Sequence, residues 1–337
     1  MMPKISVLLP VFNAEDTLFR AASSCLNQTF SDLELIIIND GSSDKTSNTC
    51  DQLASEDSRV KIIEFKSNKG VSKAIESGRI SANGELVARM DADDFSYPER
   101  FMYQVDLFES DPTMTACGTA VRLMEAPSAD PGRGFLNYVD WVNSLNALHK
   151  IASQRFIDSP VANPTSMIRA NDLEKVGGFS DPTWAEDYDL WLNFLSRKMR
   201  ITNIKKVLLD WHDSPKRLTR SSSRYSLNNF SKAKAHYLAK LPNVLSKGIE
   251  IAGAGPIGKR LARDLKDQGV KVTRFYELDR KKINQKINEI PVHDYSDLKY
   301  KSETLVSAVC RPGAREKIRN IASSSGYIEG ENFFCAA

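Results

Sequence analysis

Between residues 4 and 95 the chain alternates short, continuous apolar runs with segments of helical spacing, and this alternation restricts the fold more than any other feature. The runs are KISVLLPV, LELIIIND, VKIIEFK and ELVARMD, rich in β-branched residues. They lack the polar alternation of a half-exposed strand, so each needs cover on both faces. Helices are expected over Asp16–Gln28, Ser43–Glu56 and Val71–Ala82, the first with Leu18, Ala22, Cys25 and Leu26 as its inner stripe. Repeated strand–helix units of this kind build a parallel sheet covered on both sides. The DGSSD turn at 40–44 closes the second strand, with Ser42 or Ser43 placed to cap the helix that follows.

From about residue 96 to 245 the pattern loosens. A helix is expected near Pro98–Phe108, then irregular Pro- and Gly-containing chain (EAPSADPGRGF), a helix through AEDYDLWLNFLSRK, and a basic, Ser-rich stretch, DWHDSPKRLTRSSSRYS. A helical segment through FSKAKAHYLAK leads to Pro242 and Asn243, a suitable linker. These observations divide the chain into a first domain over 1–245, its halves being 1–125 and 126–245, and a second over 248–337.

The 46 basic and 43 acidic residues nearly cancel, so no overall field holds nucleic acid, and any anion site is local. Five separated cysteines without a CxxC pair argue against a disulfide framework or a structural zinc site and suit a reducing compartment. The opening MMPKISVLLPVFN is too short for a signal core or a membrane span and reads as a first strand, so a cytoplasmic protein without a transmembrane segment is expected.

The stretch LVARMDADDF puts Asp91, Asp93 and Asp94 into four positions. Like charges about 5 Å apart repel by about 3 kcal/mol at an effective dielectric near 20, so this crowding calls for a positive partner. In extended chain Asp91 and Asp93 face one way at a strand's carboxyl end, where open α/β sheets bind ligands. Two such carboxylates are half of a site for a hard cation, Mg²⁺ or Mn²⁺, with positions left for phosphate oxygens.

The segments PVFNAEDTL, INDGSSDKT, SNKGVSKAIESGRISANGE, the aspartate cluster and GGFSDPTWAEDYDLWLNF, in that order over residues 3–215, resemble the family 2 glycosyltransferases, inverting enzymes of the GT-A fold. The resemblance implies an α/β chain with a mostly parallel central sheet and transfer of a sugar from a nucleotide-diphosphate donor, a UDP-sugar above all. The acceptor it implies is a hydroxyl of a glycan or lipid-linked saccharide in surface polysaccharide biosynthesis. It assigns Asp40 to the nucleotide base, Pro10 and Asn13 to the loop bordering the nucleotide, Asp91 to the ribose or a shared cation, Asp93 to the metal, and Asp187, with Glu186 beside it, to the catalytic base. The cation would neutralise the diphosphate leaving group, and the dipole of the helix near Asp187 is expected to favour its ionised form. His212 is the further expected metal ligand, and Lys216, Arg217 and Arg220 form a basic lid for the diphosphate. Arg89 is a local counter-charge, Trp184 a candidate sugar platform, and Trp191 equally a packing residue. The QxxRW motif and membrane helices of processive synthases are not in this sequence, which favours single addition.

The last domain opens on IEIAGAGPIGKRLARDL, with Gly253, Gly255 and Gly258 between a strand and a helix and Glu277 at the end of the next strand. That is the dinucleotide fingerprint in its required setting. Three readings stay open: a NAD(P) or nucleotide-sugar sensor site, a Rossmann-like module used for assembly or docking, and a dehydrogenase, with Asp279 an alternative ribose partner. A nonenzymatic nucleotide-binding scaffold is the remaining class. Peripheral membrane contact and homo-oligomerisation stay open as well.

Overall fold

A computed structural model describes residues 2–124, 132–213, 217–300, 302–311 and 313–337. Most of EAPSADPGRGF and Lys216 of the expected lid lie outside the described residues.

The chain forms two compact units, each assembled from three segments: Met1–Leu148, Val161–Pro182 and Lys198–Arg220 in the first, His149–Pro160, Thr183–Arg197 and Ser221–Ala337 in the second. The first holds strands β1 (Ile5–Val11), β2 (Leu33–Asn39), β3 (Val60–Glu64), β4 (Leu86–Arg89), β5 (Phe95–Ser96), β6 (Met114–Met124), β7 (Met167–Arg169) and β8 (Arg200–His212). They form one sheet in the order β3-β2-β1-β4-β7-β6-β8-β5. The first four are parallel neighbours, β7 is antiparallel to both β4 and β6, and β6 runs parallel to β8.

The continuous apolar runs are thus the parallel strands, and all seven residues of β2 are buried. The helices between them span Leu18–Leu26, Thr46–Glu56 and Val71–Ser81, and Leu18, Ala21, Ala22 and Cys25 of the first face the core. Glu34 is the one acid inside β2; it accepts from Ser6 (2.6 Å), Lys61 (2.5 Å) and the Asn83 amide (2.7 Å). A buried carboxylate is tolerated when hydrogen-bonded and paired in this way.

Two local expectations are corrected. The second helix begins at Thr46 without a capping side chain of its own, and Ser42 and Ser43 bond to Asn13 instead. The loosely patterned middle of the chain contains the long pair β6 and β8, whose register shifts at Thr119/Ala120 and Ala120/Val121. Those irregularities interrupt the period-2 alternation of β8, and the first eight residues of β6 are all buried, so neither strand shows a sustained alternation.

The second unit holds β9 (Ile249–Ala252), β10 (Val272–Glu277), β11 (Lys286–Ile287), β12 (Ile290–Asp294), β13 (Thr304–Ser307) and β14 (Phe333–Cys335), in the order β11-β12-β10-β9-β13-β14. All neighbours except β11/β12 are parallel, and the order reverses direction at β9, as in a doubly wound α/β sheet. Helices Glu186–Ser196 and Leu227–Leu238 belong to this unit, burying Tyr188, Leu192, Ala233, Ala235 and Leu238 in one cluster with Leu261, Leu265 and Phe334. The start of the second sheet at Ile249 therefore does not coincide with the start of the second unit.

The glycines of the GAGPIG turn differ in what they require. Gly253 has φ 107°, and a Cβ on Gly258 would lie 1.9 Å from the Gly253 carbonyl oxygen, whereas a Cβ on Gly255 meets nothing within 4 Å. Gly258→Ala is expected to destabilise the protein by about 2 kcal/mol through overpacking, while Gly255→Ala leaves thermal unfolding nearly unchanged. Equal melting temperatures for the two variants would contradict this packing.

Candidate functional site

In the first unit the loops after β1 and β2 are laced together. Asn13 takes a positive φ of 51°, which asparagine tolerates better than most residues. Its amide donates to Ser42 Oγ (2.9 Å) and its side-chain oxygen accepts from the Ser43 amide (2.8 Å). The Ala14 amide bonds Thr46 Oγ1, and Glu15 and Asp44 exchange bonds with backbone amides of the opposite loop. Pro10 sits within β1, three residues before this junction. Asp40, buried at the end of β2, accepts the amides of Lys69 (2.7 Å) and Gly70 (2.9 Å), fixing a third loop to the same rim. Each of its oxygens keeps one lone-pair direction for a further donor.

The acidic loop follows β4, between β1 and β7. Arg89 is 1% exposed and donates to Asp91 Oδ1 at 2.8 Å; its Nε and Nη1 have no partner among the described residues. Arg100, fully buried, donates to the Arg89 carbonyl (2.7 Å) and to Gln104 (3.1 Å), and burial lowers its pKa to about 10. Arg20 caps the Asp93 carbonyl at 2.7 Å. Asp93, half-buried, is pushed up to about 6 by burial and then by the charge of Asp91. Asp94 is fully buried and raised well above the carboxylate range by burial, Asp93 and Asp91. Its Oδ1 accepts the His212 amide (2.8 Å), and its Oδ2 has no partner among the described residues.

Arg89 is the counter-charge that the sequence suggested, but Arg20, Arg100 and the structural part played by Asp94 were missed. Arg20 and Arg100 lie in ordinary amphipathic helices 73 and more residues away or behind a proline turn, where no motif marks them.

Among the described residues no three His, Cys, Asp or Glu side chains gather as metal ligands, so Asp91, Asp93 and His212 do not make a preformed cage. The residues do fit a hard cation that takes one or two protein carboxylates and completes its shell from phosphate. Burial first, and then the like charges of the cluster, raise the proton affinity of Asp93 and Asp94, and the charge of Arg217 offsets only part of that rise. Burial and the charge of Arg20 depress the pKa of His212, which keeps its imidazole neutral as a metal ligand requires. Arg217 lies over the rings of Phe135 and Trp211, 4.6 Å from each, and Arg220 pairs with buried Asp213 at 2.6 Å. Arg217 is thus anchored by stacking, and the more exposed Arg220 by its ion pair.

The base candidate is in the second unit. Asp187 is the second residue of the helix Glu186–Ser196, next to Ser159. Ser159 Oγ donates to Asp187 Oδ2 at 3.3 Å. Burial first, then Glu186, pushes Asp187 up to about 7, with Asp158 adding to the rise and the Tyr188 amide and Ser159 opposing it. The expected dipole stabilisation of ionised Asp187 is therefore outweighed: desolvation and two like charges exceed what a helix N-terminus supplies. Glu186, 6% exposed, is taken up differently, its two oxygens accepting the Tyr225 hydroxyl at 3.0 and 2.8 Å with Arg224 at 3.8 Å. Trp191 is fully buried beside Phe194, a packing residue, and Trp184 is held by its indole N–H to Asp189 (2.8 Å). At the second sheet Glu277 binds Lys282 (2.9 Å) and the Leu278 amide (3.0 Å); burial would raise its pKa, but these partners bring it below the usual value.

Comparison with known proteins is consistent with this architecture. An uncharacterised glycosyltransferase of Haemophilus influenzae is 32% identical over 213 residues, covering 62% of this chain and 65% of that protein. The Escherichia coli UDP-Gal:alpha-D-GlcNAc-diphosphoundecaprenol beta-1,3-galactosyltransferase is 27% identical over 238 residues, 70% of this chain and 83% of its own. S. aureus TarS 1-349, solved in complex with UDP-GlcNAc, superposes with a TM-score of 0.56 at 16% identity, covering 80% of this chain and 82% of that one, which is a likeness of fold. The sequence model of glycosyl transferase family 2 matches residues 6–177, more than half of the chain and the whole of the parallel strand–helix repeat with its acidic loop, and the chain belongs to that family.

Proposed function

We propose that the protein transfers a sugar from a UDP-linked donor to a hydroxyl of a saccharide acceptor, with inversion at the anomeric carbon, during assembly of a surface polysaccharide. The observation that carries this reading is the acidic loop at the carboxyl end of β4, framed by buried Arg89 and Arg100 beside the laced loops of β1 and β2. Asp40, Pro10 and Asn13 border the nucleotide, and Arg217 contributes to the diphosphate side. Asp93, with Asp91 and the neutral ring of His212, would hold Mn²⁺ or Mg²⁺. When bound, that cation supplies the positive charge that stabilises a departing diphosphate. Asp187 takes the proton of the attacking hydroxyl; at about 7 its pKa is matched to proton transfer near neutral pH.

The named activity of the E. coli relative suggests the first substrates to try, UDP-galactose with a GlcNAc-diphosphate lipid. A lipid-linked acceptor would bring the protein to a membrane surface. No helix among the described residues is long and apolar enough to cross one. A second reading, a dinucleotide at Gly253, Gly255 and Gly258, draws on the open face of Gly255 but meets a Glu277 already paired with Lys282. Titration with NADH fluorescence tests it directly.

Calorimetric titration of UDP is expected to show binding with Mn²⁺ that is lost in Asp93→Asn. Equal affinity in metal-free protein, in the Mn²⁺ form and in the variant would overturn the metal-bridged reading.

Asp187→Asn is expected to lower transfer by about 10²- to 10⁴-fold while leaving UDP affinity intact. The acid limb of kcat/KM in the unmodified protein should fall below about pH 7 with the slope of one proton. The same substitution carries a stability signature. A carboxyl raised above its unfolded value of about 3.9 favours the protonated fold, so stability is lost as pH rises from there to about 7 and stays lost above. Asp187→Asn should therefore melt about 2–4 °C higher at pH 8 and no higher at pH 4. A lower melting temperature at pH 8 would refute the desolvation argument.

A further inference from the structure

The proposed function assigns the proton to Asp187 but leaves unexplained why the chain places a second, almost wholly buried acid directly before it. Two adjacent carboxylates at one helix N-terminus form a coupled pair, and such a pair needs something to decide which member carries the proton. In the second unit the two are surrounded unequally. Glu186 receives the Tyr225 hydroxyl on both carboxylate oxygens, 3.0 and 2.8 Å, and the Arg224 guanidinium 3.8 Å away. Asp187 has the longer Ser159 bond of 3.3 Å, the Tyr188 amide, and the like charges of Glu186 and Asp158. Lys234, from the helix Leu227–Leu238, acts on Asp158 and donates to the carbonyls of Ile157 and Ala336. Asp189, the third acid of the first turn, is turned away to Trp184 and Tyr237.

We propose that Tyr225 is a positioning residue: its hydroxyl, seated across both oxygens of Glu186, fixes Glu186 as the standing negative partner, so that the proton taken from the acceptor passes through Asp187 alone. This rests on the reading of Asp187 as the base. The physical content is an allocation. A donor shared by both oxygens stabilises the ionised form of Glu186, and the retained charge beside Asp187 raises the proton affinity of Asp187. Tyr225 thereby acts on the base through Glu186 without touching it. A purely structural tie between the 223–225 turn and the helix would hold the fold but would not decide where the proton sits.

The allocation is read without any substrate, by ¹³C NMR titration of the full chain labelled at the Asp and Glu side-chain carboxyls, with signals assigned through Asp187→Asn and Glu186→Gln. In the unmodified protein a step in the neutral range is expected on Asp187. In Glu186→Gln the like charge is gone, and the Asp187 midpoint should drop by about 1 pH unit. In Tyr225→Phe part of the neutral-range step should move from Asp187 to Glu186, while circular dichroism stays that of the unmodified protein. An Asp187 midpoint unchanged in Glu186→Gln, or a neutral-range step that stays wholly on Asp187 in folded Tyr225→Phe, overturns the proposal. Should Tyr225→Phe fail to fold, Tyr225→Met takes its place in the same titration, with the same two outcomes. The base reading is judged separately by turnover of Asp187→Asn with UDP-galactose and a GlcNAc-diphosphate lipid. Full turnover there removes the base, whereas lost turnover with unmoved titrations removes only the part given to Tyr225.

Discussion

The burial of two arginines beneath an acidic loop is the interaction on which the first unit depends. Three carboxylates within four positions cannot be held at a sheet's carboxyl end by backbone geometry alone. Arg89 meets Asp91 directly, and Arg100 props the Arg89 carbonyl from below while itself fully buried. A buried guanidinium costs several kcal/mol unless paired and hydrogen-bonded, so arginine and aspartate each make the other tolerable. The compensation is incomplete: Asp93 and Asp94 remain raised, and a cation with a diphosphate would complete it. Binding and stability are then linked, because whatever neutralises these carboxyls also stabilises the fold.

The acid pair of the second unit solves a similar crowding by a different route. A phenol and a distant guanidinium hold Glu186, and burial works on Asp187. Coordinating a cation requires carboxylates that ionise readily once it arrives, whereas accepting a proton requires one that is reluctant to stay ionised. The same residue type suits either task according to what surrounds it, sequence neighbours such as Asp91 and Glu186 included.

This difference explains what the sequence could reveal. The parallel strands were legible because Ile36, Ile37 and Ile38 face cover on both sides and leave a continuous apolar run. The order of motifs gave the family and located the acids. Long-range partners left no local trace. Tyr225 sits 39 positions from Glu186 in a Ser-rich stretch that reads as loop, and Arg20 resembles any exposed helical arginine. Ser42 and Ser43 have the right chemistry for a helix cap, yet the Ser42 hydroxyl accepts the Asn13 amide and Ser43 donates to the Asn13 side-chain oxygen instead. Strands β6 and β8 were hidden because neither shows a sustained alternation. Helix polarity at Asp187 was read correctly, but its magnitude was not, because desolvation depends on burial that only the assembled fold supplies.

The second sheet has a structural consequence apart from any ligand at its glycine turn. Tyr188 and Leu192, on the inner face of the helix that carries Asp187, share one apolar cluster with Leu261 and Leu265 of the helix after the GAGPIG turn and with Phe334 of β14. The Tyr188 hydroxyl donates to the Arg155 carbonyl (2.9 Å), and the Arg155 guanidinium lies over Phe156 and Phe334. Residues that would be called a separate carboxyl-terminal domain from the chain alone therefore form the floor on which the helix Glu186–Ser196 rests. A Cβ forced in at Gly258 would press on that floor through the helix Pro256–Asp267. The position of Asp187 is consequently set by residues up to about 150 positions beyond it, and its raised proton affinity combines burial, which only the folded unit supplies, with the charge of Glu186 beside it in the motif.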